Sequence, residues 1–140
     1  ITVMGSFIFG LDEDDLGVFR RTVAFVDAAR IDIPLYNVLT PLPGTTLHAR
    51  MESEGRIHYR DWAHYDLCHS VIHPGKMTST ELQNGYYWDV RESYKLPHVL
   101  RRIIRSDPGW RSRMGASYTY RRKAFRYCPP PLQPAKYQTA

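Results

Sequence analysis

The stretch Ile1-Thr2-Val3-Met4-Gly5-Ser6-Phe7-Ile8-Phe9 decides the fold of this 140-residue chain. It is rich in β-branched and aromatic residues and almost continuously apolar. That pattern is typical of a strand that is covered on both faces, as strands are in a parallel sheet. Gly10 ends the strand, and the acidic turn 11–15 offers several possible caps for a following helix.

A helix and a second strand follow this turn. The helix is predicted over residues 16–30, where Phe19, Val23 and Val26 form an apolar stripe. The second strand is predicted over residues 31–39. A strand, a helix and a strand joined by short loops indicate a βαβ unit, with parallel strands and a right-handed crossover.

Two parallel strands are too few for a sheet of their own, because such strands normally have neighbours on both sides. Thr45 or Thr46 is predicted to cap a further short helix that runs to about Glu54. The chain also begins with Ile1 where a complete protein has Met. We therefore expect this α/β chain to be the C-terminal piece of a larger barrel or sheet.

The second half of the chain is predicted to be mainly helical. Thr78 and Glu81 form a capping box, which opens a helix. The apolar stripe of that helix is Leu82, Tyr86, Val90 and Tyr94. Pro97 is predicted to interrupt it, with another helix over residues 99–105.

The net positive charge of the chain is confined to its last 40 residues. Residues 1–60 and 61–100 each carry a net charge of −2, whereas residues 101–140 carry +9. Arginines interleaved with aromatic residues could contact nucleic acid or anionic lipid. Because no nucleic-acid motif accompanies them, we favour a solvated amphipathic helix followed by an extended, proline-rich tail.

The composition excludes several classes of protein. With 43% hydrophobic and 24% charged residues, the chain is not disordered throughout. It has no run of about 18 apolar residues, so no membrane-spanning helix is predicted. Its two cysteines, Cys68 and Cys128, are too far apart in sequence to indicate a disulfide framework or a close-spaced metal motif. We expect a cytoplasmic protein with reduced thiols.

A group of potential metal ligands lies between residues 64 and 73. His64, Cys68, His69 and His73 could be drawn together, but their spacing is not that of a zinc finger or a zinc protease. Polar side chains that bond to the backbone of an irregular segment are the favoured interpretation, and no metal site is predicted. A nucleophilic pair of Cys68 and His69 is disfavoured, because adjacent residues in an extended segment point to opposite sides.

The first strand offers a candidate ligand surface. Ser6, Ile8 and Gly10 share one face, and Asn37 and Leu39 share a face of the second strand. Ligands bind at the carboxyl ends of parallel strands, where Gly10 would allow a close approach. Ordinary core packing explains the same residues, so both interpretations stay open at this point.

The run Ser6-Phe7-Ile8-Phe9-Gly10-Leu11-Asp12-Glu13 resembles the GxIxGxxE motif of radical SAM enzymes, with Ser6 in place of the first glycine. Later segments resemble one branch of that superfamily, the cobalamin-binding-domain proteins that include the hopanoid methylases. Those segments are 37–45, 54–57 and 61–66, together with His69, Pro74, Met77-Thr78 and Glu81-Leu82.

The resemblance implies a division of the chain into three parts. Residues 1–55 would be the last two strands and helices of a partial (β/α)6 radical SAM barrel, a TIM-barrel-like fold. Residues 56–106 would be a post-barrel helical extension. The resemblance does not explain residues 107–140, a basic, proline-rich region expected to be poorly ordered.

The resemblance also implies site residues. Part of an S-adenosyl-L-methionine (SAM) pocket would be formed by Ser6, Ile8, Gly10, Asn37 and Leu39, with the isoleucine against the adenine. A cap on the substrate side of the barrel would be formed by Trp62, Tyr65, Asp66 and His69.

The implied activity is methyl transfer to an unactivated carbon of a lipid or secondary metabolite, with SAM, a 4Fe–4S iron-sulfur cluster and cobalamin. Two cysteines cannot supply the CxxxCxxC motif that holds the cluster. The cluster and cobalamin would be bound by the missing N-terminal part of the same enzyme, and this chain alone is not expected to be active. The alternative is a small non-enzymatic protein whose basic region contacts nucleic acid or anionic lipid.

Overall fold

The computed structural model of the protein describes residues 2–104, 115 and 118–122. Strand β1 spans Met4–Phe9, helix α1 spans Val18–Ala28, and strand β2 spans Ile33–Val38. The strands pair in parallel, from Met4 opposite Ile33 to Phe9 opposite Val38. The predicted parallel strand pair, with a helix between its strands, is therefore confirmed. The helix begins at Val18, slightly later than predicted.

The acidic turn stabilises the loop between β1 and α1 instead of capping the helix. A side-chain oxygen of Asp14 accepts hydrogen bonds from the backbone N–H groups of Gly10 and Leu11, at 2.9 and 3.0 Å. Asp15 accepts one from Gly17 N at 2.9 Å. Gly17 is the N-cap of α1 and makes no side-chain cap bond. These carboxylates thus fix the point where the chain leaves the sheet.

A second short helix and a strand-like bridge follow β2. Helix α2 spans Thr46–Ser53, and Thr45 caps it by accepting a hydrogen bond from His48 N at 3.2 Å. Further on, Ile57 lies opposite Ile72 in an antiparallel bridge. This part of the chain encloses a small core of its own, which consists of Met51, Ile57, Tyr59, Val71 and Ile72.

Helix α3 spans Ser79–Ser93 and helix α4 spans Leu96–Ile104. The predicted capping box is present at the start of α3. Thr78 Oγ1 accepts from Glu81 N at 3.1 Å, and Glu81 Oε2 accepts from Thr78 N at 2.8 Å. The prediction that Pro97 interrupts the helical structure is wrong, because the break lies before Pro97, between Ser93 and Leu96. Pro97 lies in the first turn of α4, where its missing N–H breaks no intrahelical hydrogen bond.

The main core lies between one face of the sheet and helices α1 and α3. Phe9 on β1 contacts Phe19 on α1, with ring centres 4.9 Å apart. The Tyr36 hydroxyl lies 2.6 Å from Ser93 Oγ, and the Tyr94 hydroxyl donates to Pro34 O at 2.8 Å. The predicted stripes are buried, namely Phe19, Val23 and Val26 on α1, and Leu82, Tyr86 and Val90 on α3 with Tyr94 at its C-cap.

The partial barrel stays a prediction, because the described residues contain one sheet of two strands. Most of the basic region 107–140, on which the alternative function depends, lies outside the described residues. Within that region residues 118–122 are helical. Among the residues that the structure describes, no helix has both the length and the apolar character needed to cross a membrane.

Candidate functional site

The face of the sheet that α1 and α3 leave uncovered brings three predicted cofactor residues together. Side chains alternate along each strand, so Ser6 and Ile8 on β1 lie on the same face as Leu35 and Asn37 on β2. Asn37 Nδ2 donates to Ser6 Oγ at 3.1 Å. Ile8 lies opposite Asn37 and is 51% exposed. We call the group Met4, Ser6, Ile8, Leu35 and Asn37 the open face.

The open face has the chemistry of a surface for a flat, polar-edged ring. Ile8 and Met4 are both exposed and supply apolar area. The paired side chains of Ser6 and Asn37 still have donor and acceptor capacity, because an amide and a hydroxyl together form more than one hydrogen bond. A purine could lie against the isoleucine and exchange hydrogen bonds at its edge.

The other two predicted pocket residues have packing roles. Gly10 has a φ of 98°, and a Cβ there would lie 2.8 Å from Leu82 Cδ2. The close approach that Gly10 permits is therefore made by α3. Leu39 is half-buried and packs against the second core, while its N–H donates to Phe9 O at 2.8 Å. Both residues lie beyond the carboxyl ends of the strands, and their roles in cofactor binding stay predictions.

A charged network fixes the loop that follows β1. Asp12 pairs with Arg56 at 2.7 Å and with Arg50 at 3.1 Å. The hydrogen bond from Arg56 holds the pKa of Asp12 below its ordinary value, against the opposing effect of desolvation. Lys76 pairs with Glu13, and Gly75 allows its backbone to approach Asp12 O closely. The carboxyl end of β1 is therefore tied to both α2 and the bridge segment.

Three of the four predicted cap residues stabilise their own segment. The Tyr65 hydroxyl donates to Tyr59 O at 2.9 Å. Asp66 Oδ1 accepts from the backbone N–H groups of Cys68 and His69, and the Nδ1 atom of the buried His69 ring lies 2.9 Å from Asp66 Oδ2. Desolvation acts to raise the pKa of Asp66, but these hydrogen bonds and the His69 ring hold it below its ordinary value.

Trp62 is the cap residue that is free to meet a ligand. It is 61% exposed in a 3₁₀ helix at Trp62–His64, and its ring centre lies 5.0 Å from that of Tyr65. The segment is attached to the outer edge of β2, since Val38 N donates to Leu67 O at 2.7 Å. Trp62 and Tyr65 thus form an aromatic surface on a segment fixed to the sheet.

Cys68 and His69 do not form a nucleophilic pair. Burial raises the pKa of the Cys68 thiol, against the effect of a hydrogen bond with Tyr86. The Nδ1 atom of the His69 ring is directed to Asp66. Gln83 holds this part of the chain, accepting from Ser70 N at 2.7 Å and donating to Cys68 O at 2.8 Å. Through these two hydrogen bonds Gln83 connects the segment to α3.

The structure also brings together residues that the sequence did not connect. His58 and His73 directly follow the two bridged residues Ile57 and Ile72, one on each segment, and their ring centres are 4.6 Å apart. A weak signal exists in the sequence, since each histidine follows an isoleucine, but nothing local indicates that the two segments pair. Among the described residues, no group of three or more His, Cys, Asp or Glu residues could hold a metal ion.

Asp89 on α3 is a further residue that sequence reasoning missed. It is fully buried, and neither carboxylate oxygen has a hydrogen-bond partner among the described residues. Burial raises its pKa to about 8. It sits beside the predicted stripe, next to Val90, at a position where the sequence pattern indicates nothing unusual.

No family model matches the chain. It is similar to a bacteriochlorophyllide d C-12(1)-methyltransferase of Chlorobaculum tepidum, with 33% identity over 110 residues. That match covers 79% of this chain and 24% of the relative. A bacteriochlorophyllide d C-8(2)-methyltransferase of the same organism is 26% identical over 104 residues, which are 74% of this chain and 23% of the relative.

Both relatives are methyltransferases. The chain spans about a quarter of the length of these curated relatives. The predicted placement in the hopanoid-methylase-like, cobalamin-binding-domain branch is wrong, because the similar proteins are bacteriochlorophyllide methyltransferases. Their similarity is compatible with the wider radical SAM family.

Proposed function

We propose that this chain is the C-terminal part of a larger methyltransferase that acts on a tetrapyrrole and uses radical SAM chemistry. The observation that carries the proposal is the 33% identity to a bacteriochlorophyllide d methyltransferase, which extends over 79% of the chain. The match extends over 110 residues, which is far longer than any single motif. It therefore cannot rest on a single short motif.

The open face is the part of the chain that would hold SAM. Ile8 would lie against the adenine, and Ser6 and Asn37 would exchange hydrogen bonds with its edge. The existing Asn37–Ser6 hydrogen bond orients both groups before a ligand arrives. Such preorganisation lowers the entropy cost of binding.

The remaining cofactors would be bound by other parts of the enzyme. The chain contains two cysteines, and the half-buried Cys68 packs against the main core, so the chain's own donor set does not fit a 4Fe–4S cluster. Cobalamin would likewise be held by another part of the enzyme. When bound, these groups supply the radical and the methyl group, while this chain orients SAM and shields the substrate side with Trp62.

The first experiment places this chain in a relative. The matching segment of the bacteriochlorophyllide d C-12(1)-methyltransferase is replaced with this chain, and methylation of bacteriochlorophyllide d is followed by mass spectrometry. We expect the chimera to form methylated product. In the same chimera, Ile8→Lys is expected to weaken SAM binding by about tenfold or more, because a charge replaces the apolar surface under the adenine.

Leu100→Lys is the matched control, since Leu100 on α4 is as exposed as Ile8 but lies outside the open face. It is expected to leave SAM binding unchanged. A folded chimera that binds SAM and methylates no tetrapyrrole would contradict the proposed substrate. An Ile8→Lys chimera with full SAM affinity would contradict the proposed pocket.

We expect the rest of the enzyme to be the partner that covers the unpaired edge of the sheet. On the side of β1 away from β2, the described residues provide no neighbouring strand. Met4 is 54% exposed beside this edge, and Phe25 on α1 is 56% exposed. The Phe25 ring meets the Phe7 ring edge-on at 6.1 Å. An unpaired strand edge beside exposed apolar side chains is a docking surface for further polypeptide.

The isolated chain is therefore expected to self-associate as its concentration rises, because a second copy can cover the same surface. Sedimentation velocity over a concentration series measures this. Phe25→Glu is expected to weaken the association by about tenfold or more, because it adds a charge to the apolar patch. Trp62→Gln is the control, as Trp62 is equally exposed on another segment. A wild-type chain that stays monomeric at every concentration would contradict the expectation.

A further inference from the structure

The bridge between residues 56–58 and 71–73 presents two histidines to solvent on one side. His58 N donates to Val71 O at 3.1 Å, and His73 N donates to Arg56 O at 2.8 Å. The Arg56 side chain adds a hydrogen bond from Nε to His73 O at 2.9 Å. Both histidine backbones are thus fixed, whereas both side chains are exposed. We propose that His58 and His73 form a binding site for a divalent cation of the zinc type.

The distance between the two ring centres is close to that expected for two imidazoles bound to one ion. Zinc bonds to imidazole nitrogen at about 2.0–2.1 Å and prefers tetrahedral angles. Two imidazoles bound to one such ion have ring centres roughly 5 Å apart by this geometry. The His58 and His73 ring centres are 4.6 Å apart, with an angle of 33° between the ring planes. The two rings are therefore close enough to share one ion.

Ser79 determines which nitrogen of His73 is available to the ion. The Ser79 hydroxyl donates its single proton to Ile72 O at 2.7 Å. Its oxygen lies 3.3 Å from His73 Nδ1, so it accepts the proton of that nitrogen. His73 Nε2 then carries the lone pair. A metal-bound histidine is oriented by its second nitrogen in the same way.

Both rings are exposed, so an ion can reach them from solvent. The protein supplies two ligands, and water would fill the remaining positions. The site does not depend on the proposed function.

The test is a titration of the full, untagged chain with ZnCl2 at pH 7, followed by calorimetry and by the NMR signals of the histidine rings. We expect one zinc ion per chain and the largest shifts at His58 and His73. The double variant His58→Gln/His73→Gln is expected to lose at least about tenfold in affinity. Each single variant is expected to lose nearly as much, because one imidazole cannot chelate.

The matched control is His48→Gln, which removes a histidine beside Glu52 on α2. It is expected to retain wild-type affinity. Ser79→Ala leaves both ligands in place and is expected to weaken binding by about tenfold, because it no longer fixes the His73 ring. Zinc affinity that survives in the double variant, that falls equally in His48→Gln, or that is absent from the wild-type chain would each overturn the proposal.

Discussion

Gly85→Ala is expected to destabilise the folded chain by about 2 kcal/mol, although alanine is the better helix former. Gly85 lies inside α3, where a Cβ atom would be 2.1 Å from Phe19 Cε2 and within 2.5 Å of two further ring atoms. Phe19 cannot move aside easily, because its buried ring also packs against Phe9. The overpacking cost of about 1–3 kcal/mol, occasionally more, thus exceeds the gain in helix propensity of about 1 kcal/mol.

Urea unfolding of the wild-type and variant chains measures this effect. The double variant Phe19→Leu/Gly85→Ala provides the control. The smaller leucine leaves room for the new methyl group, so the double variant should lose less stability than the sum of the two single variants. A Gly85→Ala chain that is as stable as wild type would show that α1 and α3 do not approach each other this closely.

Features that depend on neighbouring residues could be predicted from the sequence. The capping box of Thr78 and Glu81 and the apolar stripes of α1 and α3 follow from spacing alone, and the structure contains them. The parallel pairing of β1 and β2 follows from short connections and chain chirality. Each of these inferences needs only a window of a few residues or one general rule of connection.

Features that depend on distant contacts could not be predicted. The sequence did not indicate that Gly10 makes room for Leu82, far along the chain. Nor did it indicate that Asp66 and His69 bond to each other and to the backbone. The roles of these three residues in ligand binding stay predictions. His58 and His73 meet only because the two bridge segments pair. A single sequence contains no signal for which of these segments approach each other.

Within the candidate site, the sequence predicted which residues share a face of the sheet better than it predicted their individual contacts. Ser6, Ile8 and Asn37 share the open face because strand residues alternate in orientation, which a sequence pattern records. The same alternation could not reveal that Gly10 and Leu39, just beyond the strands, have packing roles. The proposed substrate class rests on similarity to bacteriochlorophyllide methyltransferases, and no local motif indicated it.

The largest expected dependence on pH comes from Asp89. Its carboxyl group is 0% exposed and has no hydrogen-bond partner among the described residues, and burial raises its pKa to about 8. In the unfolded chain its pKa is about 3.9. Between these values the folded state binds the proton more tightly than the unfolded state. The contribution to stability is therefore fully present below about pH 4 and is lost as the pH rises to 8, by about 1.4 kcal/mol for each unit.

Asp89→Asn is expected to remove this part of the pH dependence, because the amide resembles the protonated acid in shape and carries no charge. At pH 5 the variant should be more stable than wild type by about 1.5 kcal/mol, and at pH 8 to 9 by several kcal/mol. Urea unfolding of both chains from pH 5 to pH 9 measures the difference, in which the histidine titrations common to both chains cancel. Asp61→Asn, at an exposed position, is the control and should keep the wild-type slope. Equal slopes in Asp89→Asn and wild type would mean that the Asp89 carboxyl is ionised in the folded chain, and hence that α3 does not bury it against the sheet.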